Sequence, residues 1–106
     1  MFETIVRQAV THEGTFGLYQ EIKDRAERIY SGSASPVVLT VRTSSPPVEC
    51  VIEVLVDGNA ISDGVIHQQG FESRTFRIGK ARTIDLVLRK PGTSGSTGFY
   101  TISVLI

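Results

Sequence analysis

At 106 residues the chain is one domain's worth, and its 41% apolar content places it among globular rather than disordered sequences. Eleven basic and eleven acidic residues cancel, which speaks against a nucleic-acid partner and leaves little charge repulsion between copies. The single cysteine, Cys50, excludes an intrachain disulfide and any zinc site with more than one thiolate; no apolar run approaches a membrane span, and Met1-Phe2-Glu3 opens no classical signal peptide.

Residues 2–11 carry two overlapping patterns. Phe2, Ile5, Val6, Ala9 and Val10 match one face of a helix, while Phe2, Val6 and Val10 also share the parity of a strand. Gly14 and Gly17 separate this segment from the rest, so it reads either as a first strand or as an arm that docks elsewhere. Between 18 and 30 the alternatives again stand open. Leu18, Ile22, Ala26, Ile29 and Tyr30 fall near helical spacing, with Glu21/Arg25 and Asp24/Arg28 as i,i+4 pairs. Residues 15–18 and 28–31 also suit short strands. The run EIKDRAER (21–28) holds six charges of balanced sign and is best read as a solvated face, ahead of a strip pairing with a second copy.

From Pro36 onward the apolar residues alternate with a period of two. The sets are Val37/Leu39/Val41, Cys50/Ile52/Val54/Val56, Phe76/Ile78, Ile84/Leu86/Leu88 and Tyr100/Ile102/Val104/Ile106. Each set faces one side of a strand, and its β-branched and aromatic residues fit a pleated, half-buried surface. Pro46-Pro47 interrupts the ladder, Asp57-Gly58-Asn59 reads as a tight hairpin turn, and Asp63-Gly64, Gly70 and Gly79 punctuate further. The Gly/Ser/Thr-rich loop at 91–98 joins the last two strands. The pattern predicts an all-β fold, an antiparallel β-sandwich of jelly-roll type with an N-terminal extension. Residues 1–14 form the arm or connector, and 15–106 the β-sandwich domain.

Chemistry-bearing constellations are sparse. His12 and His67 are far apart and in no metal-binding spacing. Cys50 shares the parity of Ile52, Val54 and Val56, which predicts a buried, inert thiol. The 92–98 loop has neither the spacing nor the lysine of a phosphate-binding loop, and no G-x-S-x-G elbow is present. No nucleophile–base pair can be named, so the chain reads as a non-enzyme without metal or cofactor.

The C-terminal two thirds carry an ordered series of segments: SPVVLTV, then a strand ending VLVDG, then GFESRTFRIGKARTIDLVL, then a Gly/Ser/Thr-rich loop into TGFYTISVLI. Over roughly 36–106 this series resembles the small jelly-roll subunits of endospore appendages, the Ena-type pilus proteins of bacilli. The better-known members carry N-terminal cysteines that cross-link successive subunits; this chain has none near its start, so the resemblance implies a thinner, non-covalent fibre. It implies a spore-surface or extracellular location, and a head-to-tail helical homopolymer formed by N-terminal strand addition. An anchoring or tip protein on the spore surface is the further partner, with no nucleic acid and no membrane. Phe2, Ile5, Val6 and Val10 would then lie at the subunit interface, with Gly14 and Gly17 as the hinge. The alternative function is a non-catalytic binding module, either carbohydrate-binding or virion-associated.

Overall fold

The computed structural model describes residues 9–18, 24–43, 50–68, 73–92 and 97–105. Among them are six strands and no helix: β1 (Ala9–Gly17), β2 (Arg25–Thr43), β3 (Cys50–Val56), β4 (Asn59–Gln68), β5 (Ser73–Lys90) and β6 (Thr97–Leu105). They form an antiparallel sheet in the order β1-β6-β2-β5-β3-β4. The all-β expectation is met.

The period-two pattern of the sequence is the period of burial along β3 and the 37–41 stretch of β2, whereas residues 84–88 of β5 are buried on both faces. Cys50, Ile52, Val54 and Val56 alternate with half-buried neighbours along β3. Val37, Leu39 and Val41 of β2 are buried, as are Ile102 and Val104 of β6. These join Phe16, Leu18, Ile66, Phe76, Ile84, Leu86 and Leu88 in one cluster. Complete burial of a side chain such as Leu39 or Ile102 stabilises the fold by about 1.5–3 kcal/mol.

Two strands are long, and each changes partner along its length. Residues 37–43 of β2 lie between β6 and the 73–78 stretch of β5, so that Leu39 is opposite both Ile102 and Phe76. Residues 25–31 of β2 pair instead with 83–88 of β5, which takes β3 on its other side. Register shifts between Ser31 and Val37 mark the change, where 31–34 are exposed. This corrects the sequence reading at two points. Gly79 ends no strand, because β5 runs through it, and the short strands expected at 75–78 and 83–89 are one. The open question over 18–30 is answered for 25–30 by a strand: pairing with β5 and contact of Ile29 and Tyr30 with the core outweigh local helical spacing.

The β3–β4 turn is a two-residue hairpin connection closing Val56 against Asn59. Asp57 and Gly58 carry positive φ (52° and 81°), as a type I′ turn requires; Asn59 does not. Asp63-Gly64 does not end a strand either. It lies inside β4, where Asp63 has φ 57° and the register slips between Glu53↔Val65 and Leu55↔Ala60. A Cβ at Gly64 would crowd Ile61 and the Val54 carbonyl, so the bulge needs glycine there.

At the N-terminal side, β1 begins at Ala9 and pairs with β6 through Gly17. The expected boundary between 14 and 15 therefore falls within a strand. Gly14 stands opposite Tyr100 and Gly17 opposite Thr97, both in ladder positions.

Candidate functional site

Among the described residues, strand β1 is an edge of the sheet and pairs with β6 alone. Directly opposed residues project to the same face, so Val10, His12, Gly14 and Phe16 share the side of Val104, Ile102, Tyr100 and Gly98. Phe16 is buried, Gly14 is half-buried, and His12 and Val10 are exposed, Val10 to 42%. The core-facing row of β1 thus runs out from beneath its own cover towards the N-terminus. Two glycines make room for the aromatics on this row. A Cβ at Gly14 would fall inside the Tyr100 ring's contact shell, and a Cβ at Gly98 inside that of Phe16. The two rings then meet at a centroid separation of 6.4 Å. Of the expected interface residues, Val10, Gly14 and Gly17 lie on this one strand; Phe2, Ile5 and Val6 lie outside the described residues.

A second open edge lies on β5. Its 73–78 stretch pairs with β2 on one side, and among the described residues no strand pairs with its other side. A groove of about 600 Å³ runs between this edge and β4, lined by Val56, Ile61, Asp63, Arg74, Phe76, Arg77, Ile78 and Lys80, among others. Arg74 spans the groove: its Nη2 donates to the Asp63 carbonyl at 2.9 Å, and its guanidinium lies 5.3 Å from the Phe76 ring centroid.

On the outer face of the other half of the sheet, charged side chains pair across strands. Arg28 Nε donates to Asp85 Oδ1 at 3.0 Å, and Arg89 bridges Glu53 (Nη2 to Oε1, 2.6 Å) and Asp24 (3.1 Å). These bonds hold both guanidinium pKa values above the ordinary arginine value, each chiefly through the side-chain hydrogen bond to its carboxylate. Asp24 and Arg28 therefore find partners on β5, not each other. Asp57 Oδ1 accepts from the backbone N–H of Thr83 (3.0 Å) and Arg82 (2.7 Å), which lowers its pKa.

Cys50 is buried, and desolvation pushes its thiol up to about 11. The expected buried thiol is present, protonated at neutral pH. His12 and His67 are both exposed, on β1 and β4, which stand at opposite ends of the strand order. Among the described residues no cluster of three or more metal-ligating side chains occurs. The sequence reading passed over the open edge of β5 as a site. Its signal was available in SRTFRIGKAR (73–82), four cations with no acid. Compared with known proteins, the chain matches no family model and no curated sequence.

Proposed function

We propose that this chain is a structural subunit that associates head-to-tail with copies of itself by N-terminal strand addition, building a helical fibre at a spore or other extracellular surface. One observation carries the reading. The core-facing row of β1 continues outward from buried Phe16 to exposed Val10, and by parity the sequence continues it through Val6 to Phe2. A row whose apolar anchors Phe2, Val6 and Val10 alternate with Thr4, Gln8 and His12 suits an arm whose anchors are covered by a neighbouring copy. The resemblance to appendage subunits over 36–106 points the same way.

The proposed subunit architecture is a jelly-roll-like sandwich. Because β2 and β5 each pair in two stretches, the six strands supply eight ladder segments: β1, β6, 37–43 and 73–78 in one half, and 25–31, 83–88, β3 and β4 in the other. Inward residues of both halves belong to one cluster, and Arg74 reaches from one half to Asp63 on the other. Stacking the halves face to face accounts for both facts.

The test is removal of residues 1–8, which leaves the described strand Ala9–Gly17 in place. Negative-stain microscopy of the full chain should show fibres, and the shortened chain should remain folded, by circular dichroism, without forming them. Fibres of equal length from the shortened chain would overturn the arm's role, and absence of fibres from the full chain would overturn self-assembly.

A further inference from the structure

We propose that the groove between β4 and the 73–78 stretch of β5 takes an extended segment of another protein, alternating apolar and acidic residues, as an added strand. The inference shares with the preceding reading the idea that edges of this sheet accept strands, but it does not depend on self-assembly.

Three features define the occupant. The open edge of 73–78 presents backbone N–H and C=O groups in ladder spacing, which another extended backbone satisfies and a polymer without peptide groups does not. Half-buried Ile61 and Ile78 give the groove an apolar lining that accepts alternate apolar side chains, beside the buried Phe76 and the Arg74 guanidinium against its ring. The remaining side chains fix the sign of the charge. Arg74, Arg77 and Lys80 line the groove against one acid, Asp63. Arg77 and Lys80 are exposed and have no ion pair among the described residues. The neighbouring acid Asp57 is already held by the Arg82 and Thr83 amides. Arg77 also has the opposite parity to Phe76 and Ile78, so an added strand with apolar residues inward would set its outward residues beside Arg77. The chain's own residues 2–10 carry one acid, Glu3, and one base, Arg7, so they offer this cationic groove no net attraction. Its charge selects a different, acidic chain.

The experiment measures fluorescence anisotropy of labelled decamers with the full-length protein. One decamer alternates valine and glutamate, a second alternates valine and lysine, and a third has the first one's composition in two blocks. The alternating acidic peptide is expected to bind about tenfold or more tighter than the other two. Arg77→Glu together with Lys80→Glu should weaken it by about tenfold; both positions are exposed, and circular dichroism checks that the fold is kept. Equal binding of the block peptide, unchanged binding by the double variant, full displacement by inorganic polyphosphate, or equally tight binding of a peptide of residues 2–10 would each overturn the proposal. Fibre formation enters none of these readouts, so failure here and failure of self-assembly are told apart.

Discussion

Asp57 and Cys50 contribute to the pH dependence of this fold at opposite ends. Asp57 caps the backbone N–H groups of Arg82 and Thr83, and its folded pKa lies below the ordinary 3.8. Its contribution is therefore complete above 3.8 and is lost as pH falls through the lower folded value. Asp57→Asn keeps an acceptor and suits the turn, so its urea midpoint is expected to vary less with pH at the acid end than that of the parent. An unchanged acid slope would remove Asp57 from the account. Cys50 acts at the other end, its pKa raised by burial from 9.0 to about 11. The protonated thiol favours the fold fully below pH 9.0, and that contribution is lost as pH rises towards 11. A thiol reagent at pH 8 should leave the folded protein unlabelled and label it in denaturant. Cys50→Ser should cost about 1–3 kcal/mol in equilibrium unfolding if the hydroxyl finds no partner.

The β1–β6 and β3–β4 pairs also rest on specific glycines, and their neighbours rank the damage of replacing them. Gly98 lies under Phe16, a buried ring, whereas Gly14 lies under the half-buried ring of Tyr100. Gly98→Ala is therefore expected to cost about 1–3 kcal/mol and Gly14→Ala less; the reverse order in thermal or urea melts would refute the packing argument. Gly58, with φ 81° in the hairpin, should lose about 1–2 kcal/mol on replacement by valine. The sequence disclosed the inward residues of β2, β3, β5 and β6 because one buried face imposes a period of two. It also disclosed the Asp57-Gly58 turn, since few residues take positive φ. It did not disclose β4 as a strand, because the bulge at Asp63-Gly64 breaks the alternation of NAISDGVIHQ. Nor did it show that β2 and β5 continue through Gly32 and Gly79, since glycine marks both a turn and a tolerated irregularity. Of the site, Val10 was legible from parity, whereas the β4–β5 groove was not, because it depends on which ladder edge stays open.

For the molecule as a whole, the single thiol constrains how copies can be joined. A disulfide chain needs at least two thiols per subunit, and the one present is buried. Under the proposed self-assembly, fibres should keep their length distribution in strong reductant, counted by negative-stain microscopy; shortening by reductant alone would assign Cys50 a linking role. The pairing of β1 with β6 has a different kind of consequence. Ala9 is opposite Leu105, so the first described strand finds its partner only in the last. A ribosome delivers β1 long before β6, and closure of so distant a contact is slow. Until β6 emerges, β1, with Val10 and Phe16 on its core-facing side, lacks that partner and is open to capture by a finished neighbour or a chaperone. The order of manufacture thus favours exchange of this strand between molecules, and slowing translation ahead of residue 97 should raise the yield of swapped species.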